Sequence, residues 1–319
     1  MFTFRNRWKA LSALLLFILA AACTTQPADT TPVKVAVLPI VEGLPLYAAQ
    51  ENGFFSKQGI KVEFVSAGSA AERDQLIAAG QADGLINDLL AVALFNRQAV
   101  QLQVVQFAHA SSAGSPLFVI VASPQSGIKA AKDLAGVEIG ISQGSIIDYV
   151  TNRILTGEGL KADQIKTVAV PKIPDRMSLL LSGQLKAATL PEPFATIALS
   201  QGAVKLVDDT KYSDYANSVV SFRKKFIDEH PQVVRAFVEA LNQASADVNA
   251  NPEKYRALLT KYKVVPDNLV ASYAIPKFPV AGLPTQKQFD DVVAFALERK
   301  LIDTAVKYAE SVNPTFIKK

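Results

Sequence analysis

The chain has 319 residues, half of them apolar, with 33 basic and 29 acidic side chains and a net charge of +4. That length can bury a large core, and the near-balanced charge argues against a nucleic-acid binder, since the densest basic run is Arg223-Lys224-Lys225 alone. One cysteine in the whole chain excludes an intramolecular disulfide, so stability must rest on core burial.

In chain order the first predicted element is an export signal. Arg5, Arg7 and Lys9 form a cationic head, followed by an apolar run from Ala10 to Ala22. Its core, Leu11 to Leu19, is shorter than the ~20 apolar residues that span a bilayer. The run closes on Ala20-Ala21-Ala22 directly before Cys23, the one cysteine, and this resembles a bacterial lipobox. The resemblance implies a signal peptide over 1–22, lipidation of Cys23, and a mature protein anchored by lipid on the extracytoplasmic face of the cell membrane. Residues 23–32 read as a solvated tether. Without the signal the chain carries 30 basic and 29 acidic residues, so most of its basic excess lies in the leader.

From Val33 short apolar runs alternate with helical patterns, as βα units on a mostly parallel sheet require. Strands are predicted at Val33 to Leu38, Lys61 to Val65, Gly84 to Ile86 and Leu102 to Phe107, with helices at Pro45 to Asn52, Ala70 to Ala79 and Asp88 to Arg97 between them. A second group of strands follows: Leu117 to Ala122, Val137 to Ile141, Thr167 to Val170 and Ala187 to Leu190. From Phe226 the pattern turns helical. Pro231 suits a first turn, and Val233, Phe237, Leu241, Ala244 and Val248 recur at helical spacing. Further helices are predicted over Pro252 to Tyr262, Pro266 to Tyr273 and Thr285 to Arg299, packing on the first lobe.

Residues 76–86 recur in outline at 179–190: a Leu-rich helix end, a Gly-Gln turn (Gly80-Gln81, Gly183-Gln184), then a short strand. Two such units imply two lobes of similar design.

The stretch Gly43-Leu44-Pro45-Leu46-Tyr47-Ala48-Ala49-Gln50-Glu51-Asn52-Gly53-Phe54-Phe55, with Gln58-Gly59-Ile60-Lys61-Val62-Glu63 after it, is similar to the opening of the NMT1/SsuA-like solute-binding proteins. The similarity continues through Gly80-Gln81-Ala82-Asp83, Leu134-Ala135-Gly136-Val137-Glu138-Ile139-Gly140 and Pro191-Glu192-Pro193. It implies an α/β, two-lobed periplasmic-binding-protein fold of type II with a helical C-terminal extension, closing on a ligand by hinge motion. It also implies a monomer that works with the permease and ATPase subunits of an ABC importer. Lobe one is expected over 33–117 and 223–319 and lobe two over 118–222, with hinges near Phe118 to Ala122 and Val219 to Phe222.

Open α/β sheets bind ligands beyond the carboxyl ends of their strands. That rule selects the loops 39–46, 66–69, 87–88, 142–145, 171–176 and 191–194. Lobe one there supplies Glu42, Leu44, Tyr47, Ser69, Asn87 and Asp88, with no cation before Arg73, which lies inside a helix. Lobe two supplies Gln143, Ser145, Tyr149, Glu192 and Phe194. Gln143-Gly144-Ser145 before a helix offers backbone N–H groups to an anion, or simply places Ser145 as a cap. Lys172 and Arg176 read as solvated. Glu192, held between Pro191 and Pro193, is the leading single residue, an acceptor for ring N–H, amino or hydroxyl donors. Acidic and neutral-polar loops with few cations favour a neutral heteroaromatic vitamin or precursor, riboflavin first and a thiamine-type pyrimidine second, over a sulfonate, nitrate or similar anion.

Enzyme readings find little material. The two histidines, His109 and His230, sit in no metal-binding or hydrolase motif. A fold-related pyrimidine synthase relies on a Cys-rich segment that this chain lacks. No cofactor is expected.

Overall fold

The structure is a computed structural model that describes residues 31–317. The predicted signal, Cys23 and most of the tether lie outside the described residues.

The described strands are β1 (Val33–Val37), β2 (Val62–Ser66), β3 (Gly84–Asn87), β4 (Leu102–Ala110), β5 (Phe118–Ala122), β6 (Glu138–Ile141), β7 (Lys166–Ala169), β8 (Ala187–Pro191), β9 (Val204–Asp208) and β10 (Asn217–Arg223). They form two sheets, ordered β2-β1-β3-β10-β4 and β7-β6-β8-β5-β9. The orders match position for position. In each sheet one strand opposes the rest: β10 runs antiparallel to β3 and β4, and β5 antiparallel to β8 and β9. The central strands read as apolar runs because both of their faces are covered by helices or loops, and every residue of β3, β5 and β8 is buried.

The internal repeat occupies equivalent places. Helix Ala70–Ala78 leads into β3, and helix Ile173–Leu181 into β8. Gly80 (φ +68°) and Gly183 (φ +80°) take the left-handed conformation that turns the chain out of each helix.

The chain crosses between sheets twice, over 111–117 and 209–216. The strands expected to act as hinges instead sit inside the sheets as β5 and β10, which moves the return to the first sheet forward from Arg223 to Asn217. The sequence reading also missed β9, an edge strand whose Val204 and Lys205 are exposed and whose pattern is therefore weakly apolar.

The C-terminal helices close the core. Val233, Phe237, Leu241, Ala244 and Val248 of helix Pro231–Ala250 enter one cluster with Leu44, Leu46 and Phe55. Each large apolar side chain buried this way contributes about 1.5–3 kcal/mol. The helix expected to end at Tyr273 is one turn, Asp267–Val270. Helix Gln286–Glu298, opened by a reciprocal Thr285–Gln288 cap, does not stay with the first sheet. Its Phe289, Val292 and Phe295 share one cluster with Leu89 and Val92 of the first lobe and with Ile139, Ile147 and Val150 of the second.

Candidate functional site

The parallel strands of both sheets deliver their carboxyl-end loops to one place, and the antiparallel β5 and β10 start there. A cavity of about 40 Å³ lies at this junction. Its wall combines Glu42, Arg73, Asn87, Asp88, Asn217 and Ser218 from the first lobe with Phe118, Ser142, Ser145 and Pro191 from the second.

Arg73 is 3% exposed. Its Nε donates to Asp74 Oδ1 at 2.8 Å, Nη1 donates to the Ile86 carbonyl at 3.2 Å, and Nη2 lies 3.7 Å from Asp88 Oδ2. Burial works against its charge, but Asp74 and Asp88 outweigh that and raise its pKa. Asp88 caps helix Leu89–Phe95 by accepting from Ala91 N at 2.8 Å, and burial raises its carboxyl above the usual range. Asn87 Oδ1 accepts from Ser221 Oγ at 2.7 Å, and its buried Nδ2 has no hydrogen-bond partner among the described residues. Burial pushes Glu42 up to about 7, against the Ser218 side chain and the Arg73 charge. A raised carboxyl keeps its proton more readily, and in that form Glu42 donates as well as accepts.

A second, wider cavity of about 460 Å³ adjoins the first. Neighbouring residues in sequence line one and then the other: Glu42 and Val41, Phe118 and Val119, Pro191 and Glu192. Tyr273, Thr196, Lys205 and Lys277 complete its polar wall. Burial raises the Glu192 carboxyl, with Thr196 and Lys205 opposing, and Thr196 N reaches its Oε2 at 3.4 Å.

Among the residues expected at the ligand, Glu42, Asn87, Asp88 and Ser145 therefore reach the inner cavity, and Glu192 reaches the outer one. The other six line neither. Leu44 is core, and Tyr47 stacks on Tyr262 with ring centroids 3.9 Å apart. Ser69 accepts from Glu72 N at 3.2 Å as a helix cap. Gln143 faces solvent, Tyr149 donates to Asp291 Oδ2 at 2.6 Å, and Phe194 packs in a core cluster.

The backbone N–H groups at Gly144 and Ile147 are already engaged, Gly144 N by Asp148 Oδ2 at 3.1 Å and Ile147 N by Ser145 Oγ at 3.2 Å. Asp148 thus occupies the place expected for an external anion. Lys172 is exposed as expected, but Arg176 is fully buried, its Nη1 donating to Ser142 Oγ at 3.1 Å. The sequence reading missed both buried arginines. In each case the signal was present: on its helix the arginine recurs with a buried apolar position, Ile77 four residues after Arg73 and Leu180 four residues after Arg176. Among the described residues no group of His, Cys, Asp or Glu is placed to hold a metal ion.

Two similar α/β lobes with a cavity at the junction of their strand ends define a periplasmic-binding-protein fold. The chain belongs to the NMT1/THI5-like family, whose pattern matches residues 41–255. It is 24% identical over 319 residues to a Bacillus subtilis (strain 168) protein provisionally named as aliphatic sulfonates-binding, covering 97% of this chain and 95% of that one. It is 26% identical over 284 residues to a Haemophilus influenzae protein provisionally named for thiamine biosynthesis, covering 83% and 85%. In fold it resembles the alkanesulfonate-binding protein SsuA from Xanthomonas axonopodis pv. citri bound to MOPS, with a TM-score of 0.76, 15% identity, and coverage of 90% of this chain and 100% of that one.

Proposed function

We propose that this protein is the extracytoplasmic solute-binding component of an ABC importer, without catalytic activity, and that it captures a small oxyanion of the sulfonate kind between its lobes. The observation that carries this reading is the inner cavity, where the buried Arg73 meets the Asn87 amide, the Ser218 hydroxyl and a Glu42 carboxyl that burial pushes up to about 7. The Arg73 guanidinium, the Asn87 amide and the small volume suit an oxyanion head group, with Asp74 and Asp88 offsetting part of the Arg73 charge.

The heteroaromatic reading drew on the scarcity of cations in the loops, and the buried arginines remove that premise. A cavity of about 40 Å³ has room for about three waters, given ~10–15 Å³ for each, and a riboflavin ring system far exceeds that. The sulfonate-binding relatives support the same choice. Lipidation at Cys23 would hold the protein at the membrane as a monomer, where the rims of both lobes meet the permease and its ATPase.

Thermal unfolding of the full-length protein against ethanesulfonate, taurine, nitrate, riboflavin and a hydroxymethylpyrimidine tests the reading. A ligand at 100 times its dissociation constant adds about 2.7 kcal/mol, a rise of about 4 °C in a chain of this size. A rise with riboflavin or the pyrimidine alone would sink the oxyanion reading.

A further inference from the structure

We infer that Arg176 is the second cation of this anion site, set behind the cavity wall and acting through Ser142, with its charge neutralised when an oxyanion enters the cleft. The inference rests on the oxyanion reading and adds to it the residue that sets the charge required of the solute.

Arg176 is 0% exposed. Its stem passes over β6 at Gly140, where a methyl group would lie in ordinary contact at 3.4 Å from Arg176 Cγ and would clash at 2.6 Å with Leu185 Cδ1. At its head, Nη1 donates to Ser142 Oγ, while Nε and Nη2 have no hydrogen-bond partner among the described residues. No carboxylate among the described residues pairs with it, whereas Arg73, Arg153, Arg223 and Arg256 each have one. Burial pushes its pKa down to about 10, which leaves it charged at neutral pH.

A guanidinium taken out of water without a counter-charge costs several kcal/mol and returns little to the fold, because an apolar side chain of the same length would pack as well. A role in binding accounts for that cost. Ser142 lines the cavity, accepts from Arg176, and donates to the Pro171 carbonyl at 3.1 Å. The positive charge therefore stands one hydrogen bond from the cavity, on the second lobe, opposite Arg73 on the first. An anion between them meets a guanidinium from each lobe, Arg73 with Asp74 and Asp88 beside it and Arg176 with no carboxylate, which also couples binding to lobe closure.

Calorimetric titration of the full-length protein with ethanesulfonate, for the wild type and for Arg176→Met, Arg176→Gln and Arg176→Lys, separates this from a structural role. The Gln variant keeps an N–H donor for Ser142 and loses the charge; the Lys variant keeps the charge. The expected order is wild type, then Lys, with Gln and Met weaker than wild type by about 10- to 100-fold. Arg176→Met should also raise the thermal midpoint of the unliganded protein. Binding by the Gln variant as tight as by wild type or Lys would overturn the inference and leave the oxyanion reading standing. A wild-type protein blind to ethanesulfonate would overturn both.

Discussion

Ser111 and Asp209 lie on the two separate crossings between the sheets and are joined by a 2.7 Å hydrogen bond in which the Ser111 hydroxyl donates. The fully buried Asp209 also accepts from Leu117 N at 3.1 Å and Phe118 N at 2.8 Å. One side chain thus joins both connections between the sheets. Asp209→Ala strands these donors in the interior and should cost about 2–4 kcal/mol in urea unfolding, with Asp209→Asn losing less. A loss under 1 kcal/mol for the alanine variant would contradict this role.

The Glu42 carboxyl, raised to about 7 by burial, makes binding depend on pH. Its folded pKa exceeds its unfolded value, so its contribution to stability is fully present below about 4.5 and is lost as pH rises through about 7. Oxyanion affinity should likewise rise as pH falls from 8 to 6, since a protonated Glu42 donates instead of repelling. Glu42→Gln should flatten both profiles relative to wild type. Comparing the two proteins over this range isolates Glu42, because other titrating groups cancel in the difference.

His109 acts in the opposite sense. Burial alone pushes it down to about 4, so the fold holds it neutral. The unfolded chain binds a proton below about 6.5, and stability is therefore lost as pH falls from 6.5 towards 4. The loss amounts to about 3 kcal/mol at most. Thermal midpoints of His109→Leu should be less acid-sensitive than wild type over that window. Parallel curves would show that another group governs acid sensitivity.

Asp291 ties the last long helix to the second lobe. Tyr149 OH and Arg153 Nε both donate to its Oδ2, at 2.6 and 2.9 Å, and the Arg153 guanidinium lies 5.5 Å from the Tyr149 and Phe295 ring centres. Since this helix also packs on Leu89 and Val92, the contact joins the lobes. A double-mutant cycle of Tyr149→Phe with Asp291→Asn should return a coupling of about 0.5–2 kcal/mol in denaturant unfolding. Simple additivity would mean the hydrogen bond is worth nothing beyond its parts.

The alternation of apolar runs with helical spacing, the two Gly-Gln turns and the stripe from Val233 to Val248 were legible because they are local: period, cap and breaker act within a few residues. Those signals led to two matched lobes, a helical tail and the loops around the cavity, including Glu42, Asn87, Asp88 and Ser145. By itself the sequence therefore determined the architecture and several of the loops that line the cavity. It did not determine what the cavity asks for. Arg176 read as a solvated cation until packing buried it, Tyr149 was turned to Asp291, 142 residues away, and Pro191, which ends β8, and Glu192, just beyond it, line different cavities. Burial and charge pairing depend on which distant segments meet, and only the tertiary structure decides that.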